Sequence, residues 1–311
     1  MKLHKHPDTF AQLIALTAAF KNLSANAIKR DYYIVLLLEQ LANSEYAEQC
    51  VFKGGTSLSK CYPGSIERFS EDIDLTYLGS SDMTDKMYDR NLKKIEATIT
   101  NGSNTEKIIE ERNNRNKSTW VWFDEPSTRI KLEIGSSVRP DPYYKKSVKT
   151  YIQEFLEAHN GEEDIEAFDL KEVVLNVLSI ERTFIDKLMS VKRHAICGTL
   201  QGKVRHIYDV HRLYLLPEIK AFLTNTTELK RLVQLTKDTD SFYLTKRNIS
   251  NEYNPCGLYD FDGWKHYFTE DIRKIYESLH EHLLYTNEKQ VFDEAVASFT
   301  AINAIFNAIN E

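Results

Sequence analysis

The stretch "FKGGTSLSKCYPGSIERFSEDIDL", residues 52 to 75, contains two adjacent glycines, two hydroxyl side chains directly after them, and two carboxylates separated by one residue. In a strand, residues i and i+2 point to the same face, so Asp72 and Asp74 are predicted to lie side by side. Two like charges at that separation repel each other unless a cation lies between them. Magnesium takes oxygen ligands and also bridges substrate phosphates, so the pair predicts a metal site.

The glycines predict a seat for phosphate. Gly54 and Gly55 let the chain turn sharply and bring its N–H groups close to an anion, and Thr56 and Ser57 could add hydroxyls at a helix N-terminus. A Walker A loop is excluded by its spelling, because Ser59 stands where the second glycine belongs. A nucleoside triphosphate with its metal satisfies both the glycines and the acids.

A third carboxylate is expected from a neighbouring strand, as in other two-metal phosphoryl-transfer sites. Glu133 in "RIKLEIG" fits, since alternation puts it on one face with Lys131 and the apolar residues on the other. A single glutamate on a strand is usually a solvated side chain, so Glu133 is the weaker member of the predicted set.

The elements around these residues predict an α+β fold. Two helices, 8–23 and 26–43, open the chain, the second with Asn26 as its N-cap. Strands and a hairpin then give a small mixed sheet with helices, and helical periodicity dominates the second half. We therefore predict a small mixed-sheet domain with N-terminal helices over 1–145 and a mainly helical domain over 146–311, with a long loop at 245–263.

Composition narrows the class of protein. The 311 residues are 42% hydrophobic and 28% charged, and the four cysteines have no metal-binding spacing. The longest apolar run, near residues 32–38, is too short to cross a membrane, and the N-terminus lacks the apolar core of a signal peptide. We expect a cytoplasmic monomer without a membrane segment.

The net charge of −6 disfavours general adhesion to nucleic acid, but the charge is uneven. Between Arg112 and Lys149 nine Lys or Arg residues stand against four acids. If the protein binds RNA, this segment is the expected contact, together with Lys192, Arg193 and Lys203 from the second domain.

The spelling of these motifs resembles a known family. "FKGGTSLSK" followed by "RFSEDIDL" is similar to the signature of the AbiEii/AbiGii nucleotidyltransferase toxins, which include MenT-like toxins and belong to the polymerase-beta-like nucleotidyltransferase superfamily. Later stretches, "ERTFIDKLMSVKR" and "VRHIYDVHRL", resemble later motifs of the family, and "IKRDYYIVLLLEQL" resembles its opening. The likeness extends over most of residues 26–215.

The resemblance implies that residues 1–145 form a nucleotidyltransferase domain, and it implies roles for residues on both halves of the chain. It assigns the nucleotide phosphates to the turn at Gly54 to Ser57 and the metals to Asp72 and Asp74. It also assigns the β- or γ-phosphate to Lys187, and the positioning of that lysine or of the acceptor to Asp209. By spacing alone, Asp209 and Arg205 would be an ordinary i, i+4 surface ion pair.

The activity implied is transfer of a nucleotide from an NTP, with Mg²⁺ or Mn²⁺, to an RNA acceptor, the tRNA 3′ end. Such transfer blocks translation, and a cognate antitoxin neutralises it, as in abortive infection and phage defence. Two alternatives stay open: the acceptor is a protein or a small molecule, or the chain is a GTP-binding module without turnover.

Overall fold

The computed structural model describes residues 1–80, 82–244, 253–281 and 283–311. The chain divides into two compact units. The first unit comprises Met1–Tyr62 and Phe69–Leu178, and the second comprises Pro63–Arg68 and Ser179–Glu311. The short segment Pro63–Arg68 thus leaves the first unit after one of its helices and returns just before one of its strands.

The first unit combines six helices and seven strands in its described residues. Its helices are α1 (Pro7–Lys21), α2 (Ala25–Ala42), α3 (Gly54–Cys61), α4 (Asp85–Ile99), α5 (Tyr151–Ala158) and α6 (Glu162–Ala167). Its strands are β1 (Cys50–Lys53), β2 (Asp72–Tyr77), β3 (Asn104–Lys107), β4 (Asn116–Trp122), β5 (Ile130–Gly135), β6 (Tyr143–Val148) and β7 (Val173–Leu178). Short 3-10 turns include Ala47–Gln49 and Ile109–Glu111.

The strands form one mixed sheet in the order β3-β4-β5-β2-β1-β7-β6. β2 runs parallel to β5 and antiparallel to β1, and β1 runs parallel to β7. The remaining neighbours are antiparallel. The predicted α+β class is confirmed, with a mixed-sheet unit followed by a mostly helical one.

Alternation along β2 and β5 separates the apolar side chains from the charged ones. The buried set, each at most 1% exposed, consists of Ile73, Leu75, Ile130, Leu132 and Ile134. Because successive strand residues face opposite sides, the charged side chains of these strands share the other face of the sheet. The core therefore forces the acids onto one surface.

Capping residues fix where several helices begin. The side chain of Ser24 accepts a hydrogen bond from the Ala27 N–H and starts α2, so the prediction of Asn26 as its N-cap is wrong. Thr84 caps α4, and Thr150 caps α5, in the same way.

The two units differ from the expected division at residue 145. Strand β6 and strand β7 both hydrogen-bond into the sheet, so the first unit extends to Leu178. β6 lies at the sheet edge, and most of its side chains are exposed, so its sequence "YYKKSV" lacks the apolar alternation that predicts a strand.

The second unit is helical. Its helices are α7 (Ile180–Ile196), α8 (Val204–Leu215), α9 (Pro217–Thr224), α10 (Thr226–Leu244), α11 (Phe261–Trp264), α12 (Glu270–Glu277) and α13 (Phe292–Ala308). Of the predicted long loop, residues 245–252 lie outside the described residues, and α11 begins at its far end. Among the helices that the structure describes, none has the length and apolarity needed to cross a membrane.

Candidate active site

Three charged residues form a row across the first unit's sheet. Lys53 at the end of β1 pairs in register with Asp74 on β2, and Asp74 pairs with Glu133 on β5. Paired residues on adjacent strands point to the same face, about 4.8 Å apart in the backbone. Asp72 lies two residues earlier on β2, so it shares that face with Asp74. The structure thus brings the three predicted carboxylates onto one surface.

Gly54 lies directly against one of these carboxylates. Its φ of +86° is a backbone conformation that favours glycine. A Cβ added at Gly54 would lie 2.2 Å from Oδ2 of Asp74. The first glycine is therefore required twice: it makes the turn from β1 into α3, and it leaves room for the Asp74 carboxylate.

The two hydroxyls after the glycines are buried. Thr56 Oγ1 donates to the Asp72 carbonyl oxygen, and Ser57 Oγ donates to the Gly54 carbonyl oxygen over 3.0 Å. Both side chains are at most 1% exposed. Their protons hold the turn and the start of β2 together, and direct binding of phosphate by Thr56 and Ser57 stays a prediction.

The N-terminus of α3 offers backbone donors instead. Within the described part of the chain, its N-cap residue Lys53 makes no side-chain capping hydrogen bond. The first N–H groups of a helix lack intrahelical acceptors and attract anions. The start of α3 at Gly54 and Gly55 is therefore a suitable seat for phosphate.

Glu133 lies in a charged environment of its own. Burial, followed by repulsion from Asp74, raises the pKa of Glu133, although Lys53 and Lys131 act in the opposite direction. Lys131 Nζ lies 2.6 Å from Glu111 Oε2 and 3.6 Å from Glu133 Oε2. The carboxylates on this face thus carry more negative charge than Lys53 and Lys131 neutralise.

The carboxylates of this site fit a divalent cation whose coordination is completed by oxygens of the substrate. In the residues that the structure describes, no group of three or more His, Cys, Asp or Glu side chains is arranged to hold a metal ion alone. Magnesium is commonly held by one or two carboxylates plus substrate phosphates, so a closed protein cage is not required. Burial, and then repulsion from Asp74, raises the pKa of Glu133, and a cation beside these carboxylates would favour their ionised forms.

The second unit contains a separate buried charge cluster. Asp209 on α8 is fully buried, and Lys187 on α7 is 6% exposed. Lys187 Nζ lies 2.7 Å from Asp209 Oδ2. The interpretation of Asp209 as part of a surface ion pair is therefore wrong, and its predicted contact with Lys187 is present.

Arg68 completes this cluster and was not predicted from the sequence. Its guanidinium donates from Nε to Asp209 Oδ1 over 2.6 Å and from Nη2 to Asp209 Oδ2 over 2.7 Å. A fork of this kind fixes both the position and the plane of a carboxylate. The segment around Arg68 is also anchored, since the Tyr285 N–H donates to the Glu67 carbonyl oxygen over 2.9 Å.

Charge inside the cluster shifts every pKa. Burial alone would raise the pKa of Asp209, but Arg68 and Lys187 hold it well below its usual range. Burial, with Arg68 nearby, lowers the pKa of Lys187, which Asp209 opposes. Burial and Lys187 also lower the pKa of His206 well below its usual value, so that imidazole is neutral at pH 7. The ammonium of Lys187 is held in place by an ionised Asp209.

The basic segment from Arg112 to Lys149 is largely neutralised within its own unit. Six of its nine cations form ion pairs: Arg112 with Glu96, Arg115 with Asp85, Lys117 with Asp89, Lys131 with Glu111, Lys145 with Glu48 and Lys149 with Glu157. Three of these acids lie on α4, which precedes the basic segment in the chain. The segment is not the open positive patch that was predicted.

The prediction that Lys192 contacts RNA is also wrong. It is 5% exposed, and its ammonium donates to the Leu258 carbonyl oxygen. Arg193 Nη1 lies 2.5 Å from Asp240 Oδ1. Lys192 and Arg193 are thus engaged inside the second unit, while Lys203, the third predicted contact, ends the 3-10 turn Leu200–Lys203 and stays a prediction.

The family model for the nucleotidyl transferase AbiEii toxin, of a type IV toxin–antitoxin system, matches residues 36–297. The chain belongs to the AbiEii nucleotidyl transferase toxin family. The resemblance predicted from "FKGGTSLSK" and "RFSEDIDL" is thereby confirmed, and the protein is a nucleotidyltransferase of a toxin–antitoxin system. The roles predicted for individual residues of this chain stay predictions.

A solved nucleotidyltransferase toxin, MenT4, shares the fold of this chain. MenT4, the nucleotidyltransferase toxin Rv2826c from Mycobacterium tuberculosis H37Rv, is 18% identical, with a TM-score of 0.58 over 94% of this chain and 89% of that one. JHP933 from Helicobacter pylori is 18% identical, with a TM-score of 0.40 over 83% of this chain and 95% of that one. A putative nucleotidyltransferase from H. pylori is 19% identical, with a TM-score of 0.39 over 83% and 98%. No curated protein matches the chain.

Proposed function

We propose that this AbiEii-family toxin transfers a nucleotide from an NTP to a hydroxyl of RNA, the 3′ end of tRNA, and thereby blocks translation. The observation that carries the proposal is the row of Lys53, Asp74 and Glu133 beside Gly54. A phosphate seat directly adjoining paired carboxylates is the arrangement that phosphoryl transfer requires.

The chain's own residues bind and orient the triphosphate. The start of α3 receives the phosphates, and Lys53 adds positive charge at the same place. The acceptor hydroxyl attacks the α-phosphorus, forming a new P–O bond. The bond to the β-phosphate oxygen breaks in line, pyrophosphate leaves, and the hydroxyl proton passes to water. Positioning supplies much of the rate, because the reacting atoms are held in attack geometry.

Asp72, Asp74 and Glu133 would hold the metal, which we propose is Mg²⁺, with Mn²⁺ as a substitute. When bound, the metal neutralises negative charge on the phosphates and on the leaving group. The role of the three carboxylates is to hold the metal's positive charge in place on one face of β2 and β5.

Lys187 and Asp209 enter the proposal through the family resemblance. Lys187 supplies a compact positive charge for the β- or γ-phosphate, and Asp209 orients it through the 2.7 Å ion pair. Arg68 acts through Asp209 as a further positioning residue.

The remaining partners follow from the system to which the family belongs. A type IV toxin–antitoxin system includes an antitoxin, which we propose is encoded for this toxin and limits its action. Because tRNA and NTPs are cytoplasmic, we place the protein in the cytoplasm, where it acts as a monomer in abortive infection and phage defence.

Four separately labelled NTPs, incubated with the protein, Mg²⁺ and total tRNA, test the proposal. We expect label on RNA and none on the protein. Label on the protein would instead make it a protein nucleotidylyltransferase, and label in a small product would point to a small-molecule acceptor. GTP binding without label transfer would reduce it to a nucleotide-binding module. Asp74→Ala is the matched inactive control for each incubation.

A further inference from the structure

Two tryptophans lie on the same sheet face as the carboxylates. Trp120 on β4 pairs in register with Lys131 on β5, which pairs with Asp72 on β2. All three side chains therefore point to one face. Trp122 is two residues further along β4 and shares that face. Both tryptophan side chains are only partly buried, so this part of the sheet has an aromatic surface open to solvent.

A guanidinium adds a flat charged group to this surface. Arg129 is exposed, and its guanidinium carbon lies 4.3 Å from the centre of the Trp120 ring. Asn104 and Glu106 of β3 pair with Trp122 and Trp120 and bring hydrogen-bonding side chains to the same face. Aromatic rings and guanidinium planes are the surfaces on which unpaired nucleobases stack.

The strand order places the tryptophans and the Gly54 turn on opposite sides of β2. The Gly54 turn follows β1, on one side of β2, while β5 and then β4 lie on the other side. Neighbouring strands are about 4.8 Å apart, so Trp120 is about 10 Å from Asp72 along the sheet. That separation is of the size of a nucleoside.

In-line transfer requires the NTP and the acceptor to approach the reacting phosphorus from opposite sides. The entering and leaving oxygens lie on opposite sides of the phosphorus. If the triphosphate is seated at Gly54 and Lys53, pyrophosphate leaves towards β1. The attacking hydroxyl must therefore arrive from the side of β5 and β4, where Trp120 and Arg129 lie.

We propose that Trp120 and Arg129 form a stacking site for a nucleobase of the acceptor strand, next to the nucleotide that carries the attacking hydroxyl. This inference rests on the proposed function in one respect, since it takes the acceptor to be RNA. The site binds the base by its π face, so it tolerates different bases, while Arg129 also offers charge to the adjoining phosphate.

The test is equilibrium binding of a 5′-fluorescein-labelled single-stranded RNA hexanucleotide to the full chain, followed by anisotropy. Trp120→Ala should raise the Kd for this RNA about tenfold or more, as expected for loss of one base–aromatic stack. Trp120→Phe should retain most of the affinity because a flat ring remains. Tyr144→Ala is the matched control: Tyr144 is 56% exposed on β6, at the other edge of the sheet, and its loss should leave the Kd unchanged.

NTP binding to the same variants distinguishes the source of the base. We expect calorimetric titration with NTP and Mg²⁺ to give the wild-type Kd for Trp120→Ala. A loss of NTP affinity in place of RNA affinity would overturn the inference and assign the ring to the base of the NTP. Unchanged RNA binding in Trp120→Ala, or no RNA binding by the wild type, would also overturn it. Trp120-dependent RNA binding without any label transfer would uphold the stacking site while refuting the proposed function.

Discussion

Gly54→Ala tests the contact between the glycine turn and the carboxylates. The new Cβ would be 2.2 Å from Asp74 Oδ2 and 3.0 Å from Asp74 Cγ. An ordinary van der Waals contact to a Cβ begins near 3.4 Å, so the carboxylate or the turn must move by roughly 1 Å. The affected atoms belong to the residue that is central in the proposed metal site.

Two effects of different size are expected. The positive φ alone makes alanine unfavourable by about 1–2 kcal/mol, which lowers the melting temperature by a few degrees. Displacement of a catalytic group by about 1 Å can cost about a hundredfold in rate. We therefore expect kcat/KM for nucleotide transfer to fall about a hundredfold, with only a moderate loss of stability.

Gly102→Ala separates these effects. Gly102 has φ +77°, close to that of Gly54, but an added Cβ there meets nothing within 4 Å. It should therefore lose similar stability and keep wild-type kcat/KM. The assays are label transfer at varied NTP and thermal unfolding. Wild-type kinetics in folded Gly54→Ala, or an equal kinetic loss in Gly102→Ala, would refute the argument that Gly54 makes room for Asp74.

Three further predictions concern single side chains. Asp72→Ala or Asp74→Ala should abolish label transfer and growth inhibition while circular dichroism stays unchanged, and activity in either folded variant would exclude it as a metal ligand. Lys187→Ala should lower kcat/KM about a hundredfold, and Arg68→Lys should also lower it by removing the fork on Asp209; wild-type kinetics in both would remove this cluster from catalysis. Burial, with Lys237 nearby, lowers the pKa of Lys192 to about 8, so its charged form costs stability below pH 8 and that cost disappears as pH rises towards 10.5. Lys192→Met should therefore unfold at a higher temperature than wild type at pH 7 and lack the wild-type rise in stability between pH 8 and 10.5. It should also bind RNA normally. Lower stability of the variant at pH 7 would contradict the argument that the buried charge of Lys192 destabilises the fold.

The sequence was sufficient where chemistry depends on local periodicity. Asp72 and Asp74 share a face because strand side chains alternate, and Glu133 joins them because the apolar residues of β5 must face the core. The need for glycine at position 54 was also predictable, although the reason includes the Asp74 carboxylate, which lies twenty residues further along the chain.

Contacts between distant residues were not predictable from periodicity. Arg68 and Asp209 are 141 residues apart, and nothing in the spacing of either indicates the other. The basic surplus from Arg112 to Lys149 was misleading for the same reason, because Asp85, Asp89 and Glu96 approach it from α4. Net charge counted along a segment omits the acids that folding brings beside it.

The most direct test of the central claim uses tRNA whose 3′-terminal diol has been oxidised by periodate. The account predicts that the wild-type protein with NTP and Mg²⁺ extends intact tRNA by added nucleotide mass, releases one pyrophosphate for each nucleotide added, and leaves oxidised tRNA unlabelled. Asp74→Ala should do neither with intact tRNA. Equal labelling of intact and oxidised tRNA would contradict the account, because the attacking hydroxyl would then lie somewhere other than the 3′ end.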